Sequence, residues 1–269
     1  MPYRIDLRGA GADAFDRLVE LGALDVEAVD GGMAAIMPDG ITAAAIARAL
    51  SLDAGDVRVT PARGRDDESI WVLTPRPIQT GRLRIVPADW PEDVDASTLR
   101  MIDGAAFGTG LHPTTALCLE ALDDELTAWR PGRVLDVGTG SGVLALAALS
   151  LSSHVSHVVA IDIDANAVRT AAENARVNGL SSRLHVVHGG PETLAGSWPL
   201  VLANVLTAPL IDMAPTLVRR VGGGGRLVLS GIRSSLAGDV EHAYRHAGMK
   251  HVRSQARDGW TALTLHAPW

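Results

Sequence analysis

Val134-Leu135-Asp136-Val137-Gly138-Thr139-Gly140-Ser141-Gly142-Val143-Leu144 passes from an apolar strand pattern through a glycine cluster into an apolar helix pattern. Glycine lets the chain turn sharply and lets a ligand approach the backbone with no Cβ in the way. The helix behind such a turn offers unpaired N–H groups and the positive end of its dipole. The stretch therefore reads as a strand–turn–helix unit of an α/β sheet, with a cofactor seat at the turn.

The spacing narrows the cofactor. Asp136 precedes Gly-x-Gly-x-Gly by two residues, and Val143 stands three beyond Gly140, where a dinucleotide fingerprint has glycine. That favours S-adenosylmethionine over a nicotinamide dinucleotide and makes Gly138 and Gly140 candidate contacts. A nicotinamide-dependent oxidoreductase stays open as an alternative. Asp162 closes the next strand, 24 residues after Gly138, and a carboxylate there can accept hydrogen bonds from both ribose hydroxyls. Asp164 suits the cap of the helix that follows. Asn204 ends the fourth strand pattern, at the edge where ligands of open α/β sheets sit; its amide offers an acceptor and two donors to an incoming amine or to the cofactor.

Downstream of Arg133 the pattern alternates. Strands are expected at 133–138, 157–162, 184–188, 200–205, 226–231, 250–257 and 260–266, and helices at 141–151, 165–178, 208–220 and 235–247. Such alternation means a doubly wound sheet. Asp258-Gly259 signals a closing antiparallel hairpin. Upstream, Tyr3, Ile5 and Leu7 alternate with charged residues, a helix follows from Phe15, and Asp30-Gly31-Gly32 turns one strand into Met33–Met37. A second helix (Ile41 to Ala49) and a strand at Val57 and Val59 complete a ferredoxin-like βαββαβ order. The expected organisation is a small α+β domain over 1–65, a proline-rich linker over 66–100 with short strands at 70–73 and 82–86, and a larger α/β domain over 101–269.

Composition limits the partners. Hydrophobic residues make up 47% of the 269 and charged residues 20%, enough for a real core. Residues 1–68 hold 7 Arg against 13 Asp and Glu, so six of the seven net negative charges lie there. An acidic module is ill suited to a phosphate backbone and able to attract a basic protein. No direct nucleic-acid binding and no membrane association are expected, and the cytoplasm and a monomer are the defaults. A single cysteine, Cys118, excludes an internal disulfide. His154/His157 and His185/His188 lack a completing carboxylate or thiol, so no metal site is expected.

Ahead of the glycine turn stands Ala106-Phe107-Gly108-Thr109-Gly110-Leu111-His112-Pro113-Thr114-Thr115. Together with Asp136-x-Gly-x-Gly-Ser-Gly, Ile161-Asp162-Ile163-Asp164 and Ala203-Asn204-Val205-Leu206, it resembles the PrmA family, methyltransferases of the large-subunit ribosomal protein numbered eleven. The clear match spans roughly residues 84–232. The resemblance implies a Rossmann-like, seven-stranded class I methyltransferase domain behind a mobile N-terminal domain that recognises the substrate. It implies methylation of lysine ε-amines and of an N-terminal α-amine on that ribosomal protein. Cofactor contacts would fall on Thr109, Thr115, Gly138, Gly140, Asp162 and Asn204, with Phe107 and His112 at the substrate pocket and Asn204 acting on the amine. Thr139 departs from the family's usual cysteine, and Pro199 from an aspartate ahead of the fourth strand. Another protein substrate is the alternative within the same class.

Overall fold

The computed structural model describes residues 1–11, 13–64, 71–74, 76–91, 94–102 and 112–269. The segment 103–111, with Phe107 and Thr109, lies outside them. The chain divides into two compact units, Met1–Pro75 and Arg76–Trp269.

The first unit contains β1 (Tyr3–Arg8), α1 (Asp13–Glu20), β2 (Asp25–Val29), β3 (Gly32–Met37), α2 (Ala43–Ala49) and β4 (Val57–Pro61). Its antiparallel sheet has the order β2-β3-β1-β4, the ferredoxin-like arrangement. Ile5, Leu7, Met33, Ala35 and Met37 fill the core beneath Leu18 and Ile46, as the two-residue period dictates. Asp25, buried in β2, accepts a hydrogen bond from the Leu73 amide at 2.8 Å. Residues 71–73, expected as part of a strand, are therefore an irregular segment fastened to β2.

The described residues of 76–101 form strands where a linker was expected. β5 (Ile78–Thr80), β6 (Leu83–Pro87) and β7 (Thr98–Met101) form a three-stranded sheet in the larger unit, with β6 and β7 parallel. Leu83, Ile85, Leu99 and Met101 join the core beside α3 and α4.

The larger unit continues with α3 (Pro113–Ala128), β8 (Arg133–Val137), α4 (Val143–Leu151), β9 (His157–Asp162), α5 (Ala165–Val177), β10 (Leu184–His188) and β11 (Trp198–Asn204). Then come α6 (Thr207–Asp212), α7 (Ala214–Val218), β12 (Val221–Arg233), α8 (Ala237–His246), β13 (Lys250–Arg257) and β14 (Trp260–His266). The seven strands run in the order β10-β9-β8-β11-β12-β14-β13. The chain thus leaves β8 toward β10 and returns on the other side at β11, so the switch point lies between β8 and β11. Alternate residues feed opposite faces: Val134, Leu200, Leu202 and Val228 pack with α3 and α4, and Leu135, Val201, Leu227 and Leu229 pack with α6, α7 and α8. Asp258 and Gly259 have φ of 50° and 78°, the left-handed pair of a tight hairpin, so the sheet closes antiparallel as expected.

The helix expected over 208–220 is two helices meeting at Met213, with Pro215 in the first turn of α7, where a missing N–H does no harm. The first turn of α3 is also shifted. It begins at Pro113, ahead of both threonines, and His112 is its N-cap. Arg226–Glu125, Arg253–Asp124 and Arg257–Glu120 ion pairs hold α3 across β12 and β13.

Candidate active site

Three strands end side by side at the switch point. β8 ends into Gly138, β9 at Asp162 and β11 at Asn204. From Val134 to Leu149 every residue is buried except Gly138 and Gly140, which are partly exposed. Those two glycines are where a ligand can meet this turn. Gly138 has φ of 68°, and a Cβ on it would sit 2.6 Å from a Val205 methyl. The turn is held from behind, since the amides of Gly138 and Thr139 donate to the Ile161 carbonyl at 2.9 and 3.0 Å.

Asp162 serves the turn as well as the strand end. Its Oδ2 accepts the Gly140 amide at 2.9 Å and its Oδ1 accepts the Asp164 amide at 2.9 Å. Both oxygens keep a free lone pair. Asp164 caps α5 through the Asn166 amide at 2.8 Å, the role expected for it from the sequence.

Beneath the turn lies Asp136, fully buried. Its Oδ2 accepts the Thr139 hydroxyl at 2.6 Å, and its Oδ1 has no hydrogen bond of normal geometry, although the Ala145 amide in the first turn of α4 lies close enough to favour the carboxylate. Burial pushes its pKa up to about 7; Thr139 and Ala145 oppose that rise, and the charge of Asp162 adds to it.

At β11, Asn204 directs its Nδ2 to the Thr115 hydroxyl at 3.3 Å, while its buried Oδ1 has no partner among the described residues. A buried acceptor without a donor is costly unless something supplies one. Ser230, opposite Asn204 on β12, donates to the Thr114 carbonyl at 2.8 Å, which fixes the first turn of α3 over the strand ends. The next residue, Gly231, sits at an irregularity in the β12–β14 pairing, and a Cβ there would lie 2.2 Å from the Val205 carbonyl oxygen.

Sequence reading did not single out Asn174, which is 0% exposed on α5. Its Nδ2 donates to the Ser141 carbonyl at 2.8 Å and its Oδ1 accepts the Ile102 amide at 2.9 Å. One turn on, Asn178 brackets Arg100 in the same way at 2.9 and 2.7 Å. The chain leaving β7 toward residue 103 is thus fastened to the glycine turn. The i, i+4 spacing was the available signal, but two asparagines on a helix read as a solvated face.

The strand order, the glycine turn and the acid ending the second strand define a class I methyltransferase domain. Residues 22–268 match the family described as ribosomal protein L11 methyltransferase (PrmA). The chain is 44% identical over 215 residues to the ribosomal protein L11 methyltransferase of Marinobacter nauticus, covering 78% of this chain and 69% of that one. It is 36% identical over 280 residues to that of Methylococcus capsulatus, covering 93% of both. The crystal structure of a ribosomal protein L11 methylase from Lactobacillus delbrueckii subsp. bulgaricus superposes with a TM-score of 0.63 at 28% identity, covering 70% of this chain and 97% of that one. The chain belongs to the ribosomal protein L11 methyltransferase family. It is a methyltransferase whose methyl donor is S-adenosylmethionine. The residues at the switch point fit that group: two partly exposed glycines give backbone access, Asp162 has lone pairs to spare, and the buried Asn204 Oδ1 lacks a donor among the described residues.

Proposed function

We propose that this enzyme methylates amino groups of ribosomal protein L11, lysine ε-amines and the N-terminal α-amine, and that the switch-point edge is where it does so. When bound, S-adenosylmethionine supplies an activated methyl group on a sulfonium. Gly138 and Gly140 would receive its methionine portion, Asp162 its ribose hydroxyls, and Thr115 with Asn204 would border the methyl. Thr109 would add a contact, and Phe107 and His112 would line the substrate pocket.

What remains for the protein is to deliver a neutral amine in line and exclude water. A lysine near pKa 10.4 costs about 4–5 kcal/mol to deprotonate at pH 7, against a little over 1 for an α-amine near 8. Desolvation lowers that cost, and an acceptor for the remaining N–H orients the lone pair. The unpartnered Asn204 Oδ1 carries this reading, because it is a buried acceptor at the strand end beside the glycine turn. The acidic N-terminal unit would recognise the substrate protein through basic residues on it, acting in the cytoplasm as part of a monomer.

Mass spectrometry of L11 incubated with enzyme and cofactor tests this. The expected result is methylated amines with the full chain. A chain beginning at Arg76 should keep cofactor binding and lose methylation. Unmodified L11 with the full chain would overturn the substrate assignment.

A further inference from the structure

Three side chains meet beyond the first turn of α3, and the reading above uses only one of them. Trp260, the first residue of β14, sets its ring edge-to-face against His112, with centroids 5.2 Å apart and planes at 69°. Arg233, the last residue of β12 and the register partner of Trp260, holds its guanidinium carbon 4.2 Å from the Trp260 ring centroid. That guanidinium is exposed, and among the described residues it makes no ion pair or side-chain hydrogen bond. The indole face is what holds it.

His112 contributes the second ring. Its Nδ1 accepts the Thr114 amide at 3.2 Å and lies 2.7 Å from the Thr114 hydroxyl. The same helical turn carries Thr115, which accepts from Asn204. Ser230, which ties that turn down through Thr114, lies three residues before Arg233. The corner of two rings and the Asn204 amide therefore flank a single helix turn.

A methylated amine stays cationic at neutral pH, yet each methyl removes an N–H donor and weakens its hydration. Amide acceptors such as Asn204 then lose their grip, and an aromatic face gains, because the ring quadrupole attracts a poorly hydrated cation; Trp is the strongest such face and paired aromatics take methyl-lysine. Guanidinium is itself weakly hydrated, so the position of Arg233 demonstrates what the Trp260 face accepts.

We propose that the corner formed by Trp260 and His112 binds the methylated ammonium of the substrate and keeps a partly methylated amine at the site between successive transfers. Arg233 is a displaceable occupant of that face. This rests on the reading of the chain as an L11 amine methyltransferase.

The test is methylation of excess L11 stopped at low conversion, with methyl states counted by mass spectrometry and S-adenosylmethionine affinity measured by calorimetry. Wild type and Trp260→Phe should give multiply methylated amines early. Trp260→Leu should raise the share of singly methylated product about fivefold while cofactor affinity stays within about twofold. Arg233→Ala should match wild type or retain product better. With the unaltered enzyme, a short trimethyllysine peptide should inhibit about fivefold better than the same peptide carrying a neutral tert-butyl isostere. Equal inhibition by the two peptides, a wild-type product pattern from Trp260→Leu, or loss of multiple methylation in Arg233→Ala would each overturn the corner. L11 left unmodified by wild type would instead remove the functional reading beneath it.

Discussion

The carboxyl edge of the large sheet and, Asp25 apart, the sheet of the N-terminal unit treat polar side chains in opposite ways. At the edge, Asp136, Thr114, Thr115, Asn174 and Ser230 are all buried, and each is held by a backbone group or by a side chain from another part of the turn. In the N-terminal unit, Arg4 and Asp6 pair along β1 at 2.6 Å while keeping 39% and 31% of their side chains exposed, and the chain amine pairs with a largely exposed Asp39. Buried, tied polar groups fix geometry and make it sensitive to single atoms; solvated pairs hold charge in place with little effect on stability. A cofactor seat needs the first treatment, and the proposed role of the N-terminal unit in meeting a protein partner is compatible with the second.

The sharpest way to break this contrast is at Asp162. Asp162→Ala removes the acceptors of the Gly140 and Asp164 amides and, on the proposed function, those of the ribose hydroxyls, together about 3 kcal/mol of cofactor binding. The expected result is roughly a hundredfold loss of S-adenosylmethionine affinity by calorimetry. Unchanged affinity would mean that the seat lies elsewhere.

Asp136 gives a pH signature that the solvated unit lacks. Its folded pKa, about 7, lies above the ordinary value near 3.9. The folded state therefore holds the proton more tightly. The stability this contributes is complete below about pH 4 and disappears as pH rises through about 7. Asp136→Asn, which mimics the protonated side chain, should be on the order of 2 kcal/mol more stable than wild type at pH 8 and nearly equal at pH 4. Urea melts across that range check it, and a pH-independent difference would show that Asp136 ionises freely.

The smallest effect belongs to the other side of the comparison. Asp6→Ala should change stability by about 0.5 kcal/mol, and less in high salt. A loss above about 2 kcal/mol in thermal melts would show that the N-terminal sheet also depends on its charged pairs.

Much of this was legible beforehand because the signals were local. The strand–turn–helix at Gly138, the cap at Asp164 and the hairpin at Asp258-Gly259 each state their conformation within a few residues. Pairings between distant segments were not. β5 to β7 are three to five residues long in a proline-rich stretch, and β7 is a strand only because it lies parallel to β6. His112 was legible as a pocket candidate, but its capping role depends on where α3 starts, which Ser230 fixes from 116 residues away. Asn174 acquires meaning only when α5 sets it between Ser141 and Ile102.

Val205 crowds two glycines in different ways, and evolution should register the difference. It meets Gly138 through a methyl group and Gly231 through its main-chain carbonyl. A partner mutation that trims position 205 relieves the steric part of a substitution at 138, leaving only the backbone strain there. No side-chain change at 205 moves a carbonyl, so position 231 has no such rescue. In lineages that drift at this edge, 138 and 205 are therefore able to covary, whereas a substitution at 231 has no compensating side-chain change at 205.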